Sequence, residues 1–485
     1  MSFQPSPFLK YITSKENKIW LQLTALIGIV SFIVLRLLYS MPSYYSDSFT
    51  WIGAAKTLQP ITFRPVGYSK LIVFFRYLST SDIALIAGQY VCNLMANLLL
   101  FFTVSWFFPL KKVFKVLLFV LLIANPFYLF YSNYVSSDAF FNCFTVAWFT
   151  SLIWIMNKPS WPVMISQVVL LAGLFALRYN ALIFPAITTI AFLLSKQSLL
   201  NKAVGIAGSF AVIISIVVYT TYKTKVFTGT KTFSAFSGWQ LANDALHILR
   251  HDKVDPTTIE DKEVRDLLKF TVHFFDTTKQ TFPDTAATAF YMWYPESPLK
   301  EYMKVYPKRM KPYFGTWNAL GPLYSKFGST LILQKPFSYL QHFVWLNAKA
   351  YFFPKMEIYE TYMEGRDTIP PFVKKYYKYK SNKAPSHHPA VYAGVFTPAQ
   401  YLFILMNLLF PALSIYYFLS GKYREQPVLF NHTLLCFGAF YMVNFFFIVL
   451  LAPTVFRYHV FILTLSFPVV LYLIQQIFRA RRTIS

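Results

Sequence analysis

The sequence predicts an all-α polytopic membrane protein with about ten transmembrane helices, outer juxtamembrane helices and a mostly helical extracytoplasmic cap. Three observations lead there. Of 485 residues, 56% are hydrophobic and 13% charged, about half the charge of an ordinary soluble domain. Apolar stretches long enough to cross a bilayer recur along most of the chain. Lys and Arg gather in alternate connections between those stretches, as cytoplasmic loops require.

A span needs roughly 20 apolar residues. Ten candidates qualify or come close: Ile19–Met41, Ile83–Phe107, Val116–Tyr131, Ala139–Met156, Trp161–Leu177, Ala181–Leu194, Ala203–Tyr222, Pro398–Leu419, Val428–Leu451 and Tyr458–Phe478. The first covers 23 residues, too long for a cleavable signal and long enough to span. The sixth has only 14 and requires a thin bilayer or an upright helix.

Basic residues at Lys10–Lys18, Lys111–Lys115, Lys158, Lys196, Lys202, Lys422, Arg424 and Arg479–Arg482 mark one set of connections. The alternating turns at Ser132–Asp138, Leu177–Asn180 and Pro453–Arg457 are short and carry few cations. Both termini are therefore expected in the cytoplasm of a multi-pass plasma-membrane protein. The first outer loop, 42–81, breaks the trend with Lys56, Arg64, Lys70 and Arg76. Its Val66–Thr80 stretch is too short and charged to cross, so it reads as helix lying along the interface.

The expected units are an N-terminal transmembrane module (1–222), a cap (223–395) and a C-terminal three-helix module (396–485). The cap holds fifteen of the twenty acidic residues and twenty-four of the forty-five basic ones. Helical patterning is visible in Thr257–Phe275 and Phe337–Ala350. Tyr291-Met-Trp-Tyr-Pro295 and Tyr351-Phe-Phe-Pro354 read as aromatic segments meeting the headgroups. A net charge of +25 suits membrane lipids and a phosphate-bearing ligand. No basic cluster with interleaved stacking residues marks a nucleic-acid surface. Cys92, Cys143 and Cys436 all lie in apolar runs, which argues against a disulfide framework.

Acidic residues inside lipid are costly and usually functional, and none sits mid-span here. Three acidic residues, Asp47, Asp82 and Asp138, fall near helix ends on the outer side. Asp47 and Asp138 each also fit as N-caps, for Ser48–Leu58 and for the fourth span. Arg178 and Arg457 occupy tight outer turns, and Arg36 lies near the outer end of the first span; each would reach headgroups by snorkelling. Arg64 precedes Pro65 and so belongs to extended backbone. Together they form a one-sided set of carboxylates and guanidiniums from four connections. Arginine's planar fork suits phosphate oxygens, and carboxylates suit proton abstraction or a divalent metal. No Gly-rich phosphate loop, Cys/His cluster, Gly-x-Ser-x-Gly elbow or Asp-x-Asp pair is present. His387-His388 is an adjacent pair that a metal would accept, though loop histidines are more often solvated.

Asp47-Ser-Phe-Thr-Trp-Ile-Gly-Ala-Ala55 and Phe63-Arg-Pro-Val-Gly-Tyr68 resemble two pieces of the GT-C-type glycosyltransferases that use polyprenyl-phosphate sugars. That group contains the protein O-mannosyltransferases and the lipid A aminoarabinose transferase. The resemblance implies that Asp47 is catalytic and that Asp138 matches an acidic residue opening the helix after the second outer loop. It also implies that Arg64 faces the lipid phosphate, with Tyr68, Arg178, Arg457 and Tyr458 assisting. Ala176-Leu-Arg-Tyr179 and Phe456-Arg-Tyr458 look family-like; an acidic neighbour of Asp47 and a His-Pro-Pro run are absent. The implied reaction is inverting transfer of a sugar from polyprenyl phosphate to a lipid, glycan or protein acceptor. A non-enzymatic lipid transporter or scramblase, or an inactive scaffold of the same fold, are the alternatives. A transporter needs a polar path through the bilayer, for which mid-span carboxylates are missing.

Overall fold

The computed structural model describes residues 6–278, 289–307, 313–384, 388 and 390–478. Its elements are helices, with no strand among the described residues and only two isolated bridges, Ser43 with Tyr134 and Thr368 with Lys383. Among the described residues, eight helices are long and apolar enough to cross a membrane: Lys15–Leu38, Ile83–Phe107, Lys112–Ser132, Ser137–Asn157, Leu199–Thr228, Ala390–Leu419, Val428–Leu451 and Val460–Ile477. The chain is thus an all-α, multi-pass membrane protein. Trp161–Leu177 and Tyr179–Leu194 are apolar but shorter.

The third of these helices is broken. A π-helical stretch, Val120–Ala124, precedes a fresh helix beginning at Pro126. Proline at a first helical position lacks only an N–H that would be orphaned anyway. Asn125 caps the new start by accepting from Phe127 N at 3.0 Å.

The first loop forms two short helices, Ser46–Thr57 and Gly67–Leu78. Gly67 lies against the Trp161–Leu177 helix so closely that a Cβ would sit 2.3 Å from the Ala176 carbonyl oxygen. Arg64 and Pro65, just before this glycine, line a cavity together with Leu177 and Arg178.

The long insertion is smaller than its polarity suggests. The preceding helix runs on to Thr228, and the following one already begins at Ala390, so the boundaries at 222 and 396 fall inside helices. The remainder divides between two larger cores and a small cluster of Ile248, Tyr339 and Phe343. Residues 235–331 supply a separate hydrophobic cluster, whereas Tyr351, Tyr359, Tyr362, Tyr376 and Tyr377 pack into the main one. The separate core is built where the Phe236–Leu249 helix crosses Tyr313–Gln334. A Cβ on Gly238 would lie 2.0 Å from the Gly321 carbonyl oxygen, and one on Gly328 2.4 Å from Leu241. Glycine permits this approach, and Trp239 stacks on Trp317 at 3.7 Å within it. Lys300 reaches into the same cluster, its Nζ 4.2 Å from the Trp317 ring centre and 4.6 Å from that of Trp239.

Candidate functional site

Two acidic loops are clamped together before any charge is considered. Ser43 N donates to Asn133 O at 2.8 Å, and Val135 N returns a bond to Ser43 O at 3.1 Å. Ser48 Oγ adds a bond to Val135 O at 2.7 Å and itself accepts from Tyr45 N. Each loop then starts a helix, with Asp47 and Asp138 in the respective first turns. The caps are other residues: Tyr45 precedes the Ser46–Thr57 helix, and Ser136 accepts from Asp138 N at 3.1 Å. Neither aspartate spends its side chain as an N-cap.

Their carboxylates go to arginines. Asp47 Oδ1 accepts from Arg64 Nη2 at 2.5 Å, and Oδ2 from Arg457 Nη1 at 3.1 Å. Asp138 Oδ1 faces Arg178 Nη2 at 2.5 Å. The two aspartates are joined: Arg457 Nη1 donates to Tyr45 OH at 3.1 Å, Tyr45 OH to Ser136 Oγ at 3.0 Å, and Ser136 Oγ to Asp138 Oδ2 at 2.5 Å. Tyr458 closes the set, accepting from Arg457 Nη2 at 3.1 Å while Arg178 stands 4.5 Å over its ring. Three guanidiniums against two carboxylates leave one net positive charge. Burial alone would raise the Asp47 acid; Arg64 and Arg457 outweigh it and hold the carboxyl below its usual range.

Beside this network lies a cavity of about 440 Å³, within the roughly 300–1,000 Å³ typical of ligand sites. Arg64, Arg178, Tyr458 and Ser137 form its polar lining, together with Trp51, Asn180 and Gln240. The rest is mostly apolar, with Phe63, Leu177, Leu182, Phe233, Phe236, Phe447, Ile448 and Leu451, and also includes Tyr179, Ser234 and Ser237. Asp47, Asp138 and Arg457 do not line it but bond to residues that do, or to one another's partners.

Tyr68 is the expected member that stays apart. Its hydroxyl donates to Gln89 Oε1 at 2.7 Å, and Gln89 ties it to the carbonyls of Ser132 and Tyr134. It supports Trp51 edge-on at 5.1 Å. Arg36 pairs with Asp82 at 3.0 Å, so it is held by a carboxylate rather than simply snorkelling. Among the described residues, no group of three or more His, Cys, Asp or Glu could hold a metal. His387 of the His387-His388 pair lies outside the described residues.

Three contributors escape sequence reasoning. Glu357 and Glu364 both adopt left-handed backbone, at φ 51° and 55°, rare for side-chain-bearing residues and frequent at functional sites. Burial raises the Glu357 acid above its usual range, with Arg457 opposing. Trp293, from the insertion, lies 5.3 Å from the Arg64 guanidinium. Left-handed glutamates carry no sequence signature, and Trp293 reads in sequence as a headgroup anchor. Compared with known families, curated proteins and solved structures, the chain gives no match, so the reading of its function rests on this geometry.

Proposed function

We propose that the protein is a membrane glycosyltransferase that moves a sugar from a polyprenyl-phosphate donor to an acceptor, inverting the anomeric centre. The observation that carries this reading is the make-up of the cavity: two guanidiniums and a phenol in a lining that is otherwise mostly apolar. A phosphate suits the first and an isoprenoid the second. In the bilayer the chain would cross ten times, the two shorter helices included, with both termini cytoplasmic in a plasma membrane. The site and the insertion would then face outward.

An acceptor hydroxyl attacks the anomeric carbon on the face away from the phosphate. The new C–O bond forms as the bond from that carbon to the phosphate oxygen breaks. The departing electron pair rests on phosphate, where Arg64, Arg178 and Tyr458 receive the charge. Such preorganised donors are often the largest catalytic term. Asp47, bonded to the lining residue Arg64, takes the hydroxyl proton through a bridging water, and Arg457 keeps it ionised until then.

The test is transfer from a radiolabelled polyprenyl-phosphate sugar by purified protein in liposomes. Label should move to an acceptor, and polyprenyl phosphate should be released in equal amount. Flipping of a fluorescent polyprenyl phosphate without any transfer, across neutral and charged acceptors, would replace this reading with lipid transport.

A further inference from the structure

The cavity holds more polar atoms than a lipid phosphate needs. Trp51 Nε1, Ser137 Oγ, Asn180 Oδ1 and Gln240 Oε1 are all buried without a hydrogen-bond partner, and all four residues line the cavity. Trp51, Ser137 and Gln240 are 2%, 1% and 3% exposed. Buried polar groups are almost always satisfied, so four unsatisfied ones around one cavity describe its occupant.

The set mixes one obligate donor, the indole N–H, with carbonyl acceptors and a hydroxyl that does either. Gln240 is fixed in that role. Its Nε2 donates to Asp244 Oδ1 at 2.7 Å, and Asn243 Nδ2 reaches the same oxygen at 3.1 Å. The amide oxygen is therefore left as the free end. Burial also pushes the Asp244 acid well above its usual range, which keeps this anchor neutral.

An alkyl chain satisfies none of the four atoms. A cationic headgroup would need a carboxylate, and none is among the described lining residues. A second anion would be repelled by two carbonyl oxygens. Hydroxyls, each both donor and acceptor, fit all four.

Building on the transferase reading, we propose that these atoms read a neutral, hydroxyl-bearing sugar on the lipid phosphate, with Gln240 as the specificity-determining residue. Through the Phe236–Leu249 helix, the insertion thus inspects the donor's sugar. An amino sugar, protonated at neutral pH, is selected against.

The experiment uses the full chain in nanodiscs and three probes: polyprenyl phosphate alone, its neutral hexose ester, and its amino-sugar ester. Wild type should bind the neutral ester more tightly than the other two. Gln240→Leu should weaken the neutral ester by about 10- to 100-fold while changing polyprenyl phosphate less than twofold. Ser137→Ala, which leaves Asp244 its partner, should shift the same ratio by a smaller factor and guards against a misfolded Gln240→Leu. Gln240→Glu should raise relative affinity for the amino-sugar ester. Equal losses for all three probes, or none, in both Gln240→Leu and Ser137→Ala would overturn the inference and leave the transferase reading standing. A wild type that discriminates between the esters yet never transfers sugar supports the inference and overturns the transferase reading.

Discussion

Arg457 donates to Asp47 across 410 positions of sequence, Nη1 to Oδ2 at 3.1 Å. The last tight turn of the chain thus completes a site begun in its first loop. Asp47→Asn should reduce transfer by about 10²-fold or more while leaving donor binding in place. An amide keeps the shape and cannot take a proton. Transfer by the variant at the native rate would reduce Asp47 to a structural partner of the two arginines.

Arg64→Ala should do the converse and weaken polyprenyl phosphate binding. Loss of a charge-assisted bond of roughly 1.5–3 kcal/mol corresponds to about ten- to a hundredfold in Kd. Arg64→Lys should recover only part of this, because its ammonium lacks the fork and stacks less well between Trp51 and Trp293, now 5.7 and 5.3 Å from the guanidinium. Titration with a fluorescent polyprenyl phosphate reads both variants; equal affinity for all three proteins would remove Arg64 from the phosphate site.

Asp138 and Arg178 carry a different expectation, because their side chains are 1% and 12% exposed. Removing one partner of a buried pair strands the other charge, at about 3–5 kcal/mol. Asp138→Asn should therefore lower the thermal midpoint clearly. The double variant Asp138→Leu with Arg178→Leu should recover most of that stability and no activity. A single variant as stable as wild type would mean that Arg178 finds water or lipid phosphate instead.

The sign of acid stability follows from Asp47. Its folded carboxyl lies below the usual range, so its stabilising charge is fully present above the unfolded value of about 3.9. That contribution is lost only as pH falls through the depressed folded value. Asp47→Asn should consequently flatten the acid limb of the stability curve in detergent. Parallel limbs for the two proteins would refute the assignment.

Lys300 predicts the opposite limb. Burial pushes its ammonium down to about 7, although four rings and the Tyr313 hydroxyl at 2.9 Å favour the charge. Between about 7 and the unfolded value near 10.4, the unfolded chain binds a proton that the folded chain does not. Stability should therefore rise with pH through that window and do so less in Lys300→Met. Tryptophan fluorescence melts compare them, the stacked Trp239 and Trp317 being the reporters.

Much of the bundle is legible in the sequence because apolar length is a local property. Ile83–Phe107, Trp161–Leu177 and Val428–Leu451 fold between the expected residues. The break at Pro126 is marked only by the Asn125-Pro126 pair inside an otherwise apolar run, which a reading by length and hydropathy passes over. The insertion is harder, since tyrosines that bury in the bundle and tyrosines that sit at an interface look alike in sequence. For that reason Tyr351–Tyr377 reads as cap although it belongs to the main core. Among the site residues, Asp47, Arg64, Asp138, Arg178, Arg457 and Tyr458 stand together, as helix ends on one side of a bundle must. Tyr68 departs from the expectation because the sequence does not say that Gln89 waits for its hydroxyl, and Arg36 because its partner Asp82 is 46 positions away.

Phe63 and Arg64 are neighbours with separate allegiances. The Phe63 ring lies 4.9 Å from that of Phe314 and 5.0 Å from that of Trp317, inside the insertion's own core, while the Arg64 guanidinium holds Asp47. One peptide unit therefore couples that core to the carboxylate. A shift of the insertion by an ångström cannot be absorbed along a long tether, so it reaches Arg64 as a lever reaches its load.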